Sequence, residues 1–323
     1  MIPLTIHLLI QNNQETIKQT LESILPLNAE IIIGDAGCRD QTLKICKSYG
    51  LTIQKVSTHD RSKTRNELVK NSKTTWQFYL EPWEILLSGC DKLSELTQSN
   101  KPQSYHCDIL QGDSITKQVR FWHKECGLYF INPIFETINM DRSEYVEVMI
   151  YKSKPDIFSQ DYIEKWKTVS PIATEPYYFQ AFAFLAQKKY KEFLNHAEHY
   201  LFHEKKQKIS STMMRYYTGI VKCLHENNVE AAIKDALICI AEQPLMAEFW
   251  CLLGDIYFHA KDFENSKAFY ENALLLGQRR LRGDRWPIQI SKYEEYPKEM
   301  IEACRNFTAN ASHFYVKKPD QVH

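Results

Sequence analysis

No stretch of this sequence approaches the run of about eighteen apolar residues that a membrane-spanning helix needs, so no span is expected. An excess of charge of one sign is missing as well: 40 Lys and Arg balance 40 Asp and Glu. Without a global field, nothing draws the chain to nucleic acid or an anionic lipid surface, and a nucleic-acid partner is not expected. A local basic patch stays open. Met1 to His7 lacks the basic segment and small-residue cleavage site of a leader and reads as a strand already. The cysteines, nine in all, form no Cys-x-x-Cys pair. That excludes a zinc ribbon or a paired disulfide framework and points to a reducing, cytoplasmic setting.

What is present is ordinary globular material. The chain has 323 residues, 44% apolar and 25% charged, enough for two domains with cores of their own. The first half alternates strand and helix. Leu4 to Ile10 is a short apolar, β-branched run closed by Gln11-Asn12-Asn13. Ile17, Leu21 and Ile24 then share one helix face, which Pro26 ends. Glu30 to Asp35 reads as a second strand. The helix that follows stops at Gly50, and Leu51 to Val56 makes a third strand. Arg61 to Lys70 makes a third helix and Trp76 to Leu80 a fourth strand. Such alternation predicts right-handed crossovers, a mostly parallel sheet, and a ligand outside the carboxyl ends of its strands. A dehydrogenase-type domain would need a glycine-rich turn after the first strand, and Gln11-Asn12-Asn13-Gln14 offers none.

The residues at those carboxyl ends resemble a known pattern. Leu9 to Glu15 with Leu21-Glu22-Ser23-Ile24, then Asp35-Ala36-Gly37-Cys38-Arg39-Asp40-Gln41-Thr42, then Arg65-Asn66, resemble the opening motifs of family 2 glycosyltransferases with the GT-A fold. The resemblance implies a Rossmann-like, nucleotide-sugar-binding domain over residues 1–155. It implies that Asn12, Asp35, Asp40 and Arg65 bind the donor. Asp35 would read the base, while Asp40 and Arg65 would border the diphosphate. Asp40 equally suits a helix cap, since a helical run follows it. Where the family keeps Asp-x-Asp for a divalent metal, this chain reads Glu81-Pro82-Trp83-Glu84. Glu81 and Glu84 are the candidate ligands for Mn²⁺ or Mg²⁺, while the indole of Trp83 cannot ligate either. Arg120-Phe121-Trp122, Gly127 to Phe130 and Phe135-Glu136 resemble the family's later block, with Phe135 where histidine is common. The resemblance makes Glu136 the candidate catalytic base, against an ordinary loop glutamate. His123 reads as a packed histidine before a phosphate or metal contact.

From about Ser170 the pattern turns to long helical periodicity. Trp250, Gly254, Tyr257, Ser266, Tyr270 and Ala273 resemble a tetratricopeptide repeat. Its 34-residue period lands on Tyr216, Ile220, Cys223, Ala232, Ala236 and Cys239. Tyr177 to Tyr200 fit a looser third hairpin, so residues 156–323 are expected to form an all-α, tetratricopeptide-like domain. Trp286-Pro287 and Tyr293 to Pro297 are its expected cap. His196, His199 and His203 on one face, and Arg279, Arg280, Arg282 and Arg285, read as solvated surface before ligand sites.

Two functions remain open. One is transfer of a sugar, with inversion, from a nucleotide-diphosphate sugar to an unknown acceptor (glycan, peptide or other). The other is a catalytically inactive domain in a scaffold that binds a protein partner, or a second copy of itself, through its repeats.

Overall fold

The computed structural model describes residues 1–56, 60–132, 136–139, 142–153, 173–204, 208–280 and 283–315. The chain divides into two compact units. The first comprises residues 1–157 and 283–287, and the second residues 158–282 and 288–323. Trp286 and Pro287, expected in the cap of the second domain, belong to the first unit.

The first unit opens as the periodicity predicts: β1 (Leu4–Ile10), α1 (Ile17–Ile24), β2 (Glu30–Asp35), α2 (Thr42–Ser48), β3 (Thr52–Lys55), α3 (Arg61–Asn71) and β4 (Trp76–Leu80). β1 is buried along its whole length between β2 and β4, as a central strand covered on both faces must be. Leu4, Ile6, Leu8 and Ile10 share one core with Ile17, Leu21 and Ile24 of α1.

Beyond β4 the expectation of a mostly parallel sheet fails. β5 (Glu84–Ser88), α4 (Cys90–Leu96), β6 (Ser104–Gln111), β7 (Ser114–His123) and β10 (Glu144–Lys152) extend the sheet to the order β3-β2-β1-β4-β7-β6-β10-β5. β4–β7, β7–β6 and β10–β5 pair antiparallel, so the sheet is mixed. The physical reason is the connection between β6 and β7. Gln111 faces Ser114 across a two-residue turn at Gly112-Asp113, with Gly112 at φ +56°, and a tight turn forces antiparallel neighbours. A small separate ribbon pairs β8 (Phe130–Ile131) with β9 (Thr137–Ile138).

The second unit is a tetratricopeptide-like array of helix pairs: α5 (Glu175–Ala186) with α6 (Tyr190–His203), α7 (Ile209–Leu224) with α8 (Val229–Glu242), and α9 (Ala247–His259) with α10 (Phe263–Gly277). The closing helix is α11 (Glu295–Tyr315). The 34-residue register holds in the packing. Ala232 and Ser266, Ala236 and Tyr270, and Cys239 and Ala273 are all fully buried. Tyr293, Tyr296 and Ile301 cover the last pair, packed on Ala247, Cys251, Tyr270 and Ala273. That fulfils the capping expectation for Tyr293 to Pro297. Among the described residues, no helix is long and apolar enough to cross a membrane.

Gly254 sets the spacing within the last pair. A Cβ there would lie 2.7 Å from Cε1 of Tyr270, a ring held in place by its hydroxyl's 2.5 Å hydrogen bond to Asp255 Oδ1. Alanine in a helix gains about 1 kcal/mol over glycine, whereas overpacking a fixed ring costs about 1–3 kcal/mol. Gly254→Ala is therefore expected to destabilise, and the sign is expected to reverse in a Tyr270→Leu background. Urea unfolding of the four proteins checks both.

Candidate functional site

The carboxyl ends of β1 and β2 carry two loops that lock together through side chains. Asn12, at φ +55°, accepts the Arg39 amide at 2.8 Å. The amide of Asn13 donates to Thr42 Oγ1 at 2.7 Å, and that of Gln14 to Asp40 Oδ2 at 3.1 Å. Asp35 Oδ1 accepts the amides of Gly37 and Cys38 at 2.9 and 2.8 Å, folding the second loop back on its strand. Asp40 Oδ1 takes both the amide and the hydroxyl of Thr42, the first residue of α2. These contacts of Asp40 tie the two loops together, while the N-cap position of α2 is Gln41, which makes no side-chain cap bond. Slight burial raises its carboxyl pKa, but the hydrogen bonds from Thr42 and Gln14 outweigh that and hold it below the usual range.

A second cluster lies at the amino end of α3 and the carboxyl end of β4. Asp60 caps α3 by accepting the Lys63 amide. Arg61 and Arg65 follow, four residues apart and so on one helix face. Both reach Glu136: Arg61 Nε donates to its two oxygens at 3.0 Å each, and Arg65 Nε to Oε1 at 2.6 Å. Arg65 Nη2 also bonds Glu81 Oε1, and Arg61 Nη2 stands 3.7 Å from Glu81 Oε2. Arg65 is almost wholly buried and lies over the rings of Tyr79 and Phe130 at 5.1 and 5.5 Å, whereas the Arg61 side chain is 33% exposed. Asn66 fixes the ribbon beside them, exchanging hydrogen bonds with the amide and carbonyl of Phe130 at 2.8 and 2.9 Å.

The electrostatics follow from this crowding. Burial raises the Glu136 carboxyl, but the Arg65 and Arg61 guanidiniums overcome burial and hold it below the ordinary glutamate value. Glu84 goes the other way: burial pushes its carboxyl up, only partly offset by Arg120. Burial drives the Tyr79 hydroxyl up to about 12, against the pull of Arg120 and Arg65.

Arg65, Glu81 and Glu136, named from the sequence, therefore meet in space. Glu84 does not join them as a ligand. It is fully buried, with Oε1 on Arg120 Nη2 at 2.7 Å and Oε2 on the Glu81 amide at 2.8 Å. These residues do not fit a divalent ion, which wants several hard oxygens. Glu84 has both oxygens engaged, Glu81 bonds a guanidinium through Oε1 and keeps only Oε2 unbonded, and Trp83 offers only an indole N–H, itself buried without an acceptor. Among the described residues, no group of three or more His, Cys, Asp or Glu is placed to hold a metal. Phe135 lies outside the described residues.

Several other sequence candidates resolve into packing. His123 is buried edge-on to Trp76 at 5.1 Å and accepts the Glu125 amide at Nδ1. His199 stacks on Tyr177 at 3.8 Å, with His203 at 4.4 Å. Arg280 is not the solvated residue expected. Its side chain is 3% exposed, bonded to the Tyr293 hydroxyl and 3.8 Å from Glu248. Arg282 lies outside the described residues. Sequence reasoning missed Arg61 as a site residue, although its i, i+4 spacing from Arg65 was the available signal.

No family model matches the chain, and no curated protein matches it. Among solved structures, the Sgt2 TPR domain from Aspergillus fumigatus aligns with 46% of this chain and 88% of its own, at 16% identity and a TM-score of 0.36. MamA from residue 41 onward, from Desulfovibrio magneticus RS-1, aligns with 50% of this chain and 85% of its own, at 16% identity and a TM-score of 0.35.

Proposed function

We propose that the first unit binds a nucleotide-diphosphate sugar at the carboxyl edge of its parallel strands, as the donor site of a glycosyltransferase of the family 2 type. One observation carries the reading: two arginines on the first turns of α3 converge beside the end of β4. Guanidiniums at the positive end of a helix suit phosphate oxygens. Asp35, at the end of the neighbouring β2, keeps a carboxylate that a nucleobase N–H could engage, its Oδ1 already fixed by two loop amides. In this reading Asn12 and Asp40 shape the donor loops. The second unit supplies a surface for a protein partner or a second copy of the chain, as helical repeats commonly do.

Titration calorimetry of the full chain with UDP and with GDP tests the reading. Micromolar binding of one of them is expected, with at least a tenfold loss in Asp35→Ala. Absence of binding for both, with and without Mn²⁺, would sink it.

A second reading, donor binding without transfer, draws support from Glu136. A carboxylate clamped by two guanidiniums is a poor proton acceptor, and base catalysis works best when the group's pKa lies near the working pH. Product analysis after incubation with a radiolabelled nucleotide sugar separates the two readings. Hydrolysed or transferred sugar supports the transferase, and intact donor recovered from a binding-competent protein supports the second reading.

A further inference from the structure

The acidic motif after β4 cannot serve a metal in the arrangement described, yet the ligand proposed for this edge carries two adjacent phosphates. Their charge must be met by something. We propose that Arg61, set by its neighbours, meets it in place of a divalent cation, so that the site takes a diphosphate without metal. The inference rests on the donor-site reading above and deepens it.

Three observations point the same way. The first is how the carboxylates are used. Glu84 is closed into a buried pair with Arg120, and Glu81 gives Oε1 to Arg65, which leaves Glu81 Oε2 as the one carboxylate oxygen of the motif without a hydrogen bond, too few for a hydrated divalent ion. A cation entering here would also sit against two guanidiniums, where like charges repel.

The second is the division of labour within each arginine. A guanidinium presents one donor edge at Nε and further donors at its two Nη atoms. Glu136 takes the Nε edge of both Arg61 and Arg65. Among the described residues, the Nη atoms of Arg61 make no hydrogen bond, and the nearest carboxylate oxygen to them is Glu81 Oε2 at 3.7 Å. Arg61 therefore keeps Nη donors that make only a long ion pair with Glu81, on a partly exposed side chain whose direction is fixed from behind by Glu136. Such donors match two oxygens of a phosphate.

The third is the orphaned donor on Arg65. Its Nη1 is buried and has no acceptor, although the rest of the group is bonded to Glu81 and Glu136. A buried guanidinium with unspent donor capacity carries a free-energy penalty that an incoming anion relieves. The two arginines and two glutamates are balanced before the ligand arrives. The anion binds through donors the glutamates leave over.

The test is calorimetry on the full chain with UDP, GDP and inorganic pyrophosphate, each in EDTA and in MnCl₂, for the natural protein, Arg61→Gln and Asp35→Ala. Melting temperatures are measured alongside. UDP or GDP is expected to bind equally in both buffers, within about twofold. Arg61→Gln is expected to weaken nucleotide and pyrophosphate alike by about tenfold or more, a loss typical of removing a charge-assisted bond. Its melting temperature should change little, because the side chain is one-third exposed. Asp35→Ala should weaken the nucleotide and spare pyrophosphate. Binding that requires Mn²⁺, or Arg61→Gln binding like the natural protein, overturns this inference while leaving the donor-site reading intact. Should none of the three ligands bind in either buffer, the donor-site reading itself falls and takes the inference with it.

Discussion

Glu84→Ala is expected to cost the first unit about 3–5 kcal/mol, the usual penalty for stranding one member of a buried ion pair. Arg120 would remain 2% exposed and charged, with Nη2 left to Gln118 Oε1 at 2.9 Å and Nη1 to the Tyr79 carbonyl at 3.4 Å. The Glu81 amide would lose its acceptor as well. Replacing both partners by apolar residues, Glu84→Leu with Arg120→Met, is expected to recover most of the loss, because desolvation of two charges then disappears with their attraction. Guanidinium unfolding followed by near-ultraviolet circular dichroism reads both effects. A single-variant loss below about 1 kcal/mol would show that the pair contributes far less than its burial implies.

The next largest effect is expected at Gly89, which precedes α4 at φ +95°. A Cβ there would lie 2.7 Å from Val148 Cγ2 and 2.9 Å from the Glu147 carbonyl oxygen and from Val148 Cα. Two of those atoms are backbone, and they lie in the stretch of β10 between Tyr145 and Met149 where its register against β6 shifts. The left-handed backbone costs a residue with a Cβ about 1–2 kcal/mol, and the overlap adds about 1–3 kcal/mol. Gly89→Ala should thus destabilise by about 3 kcal/mol or more. Gly50→Ala is the control. It shares the positive φ of +70° but meets nothing within 4 Å, so it should show the backbone cost alone. Equal melting temperatures for the two variants would contradict the packing argument.

The sequence foretold the half of the sheet in which each strand is followed by its own helix. β1, β2 and β4 are short, largely apolar runs, and all four strands lie within a residue or so of their expected places. The other half was not legible, for physical reasons that can be named. β5 begins right after a Pro-Trp turn, so Glu84 reads as part of an acidic motif and not as the first residue of an edge strand. β6 and β7 are joined by Gly112-Asp113, which periodicity counts cannot separate from an ordinary loop. β10 does alternate in its burial, but its bulges hide which neighbour it pairs with.

The site divides in the same way. Arg65, Glu81 and Glu136 come from motifs, and they converge. What the motifs could not convey is what each group does for the others. Glu136 is 75 residues from Arg61 and 71 from Arg65, so their salt bridges depend on the tertiary fold. The same holds for Glu84, whose partner Arg120 lies 36 residues away on β7. Asp40 shows the opposite limit. Its partner Thr42 is two residues on, so the contact needs no tertiary fold.

The discontinuity of the first unit bears on how this protein can be taken apart. Residues 283–287 belong to that unit although 125 residues of the other unit, 158–282, separate them from its main body. Gly283 offers its carbonyl to His106 at 3.2 Å and lies against Tyr145, whose hydroxyl bonds Asp108. The chain therefore passes between the two units three times, at 157/158, 282/283 and 287/288, and the helical repeats are not a cassette appended at one point. Exchange of the repeats between proteins, or excision of the α/β unit for separate study, has three boundaries to respect. A cut at residue 157 alone would yield a first unit lacking five of its own residues.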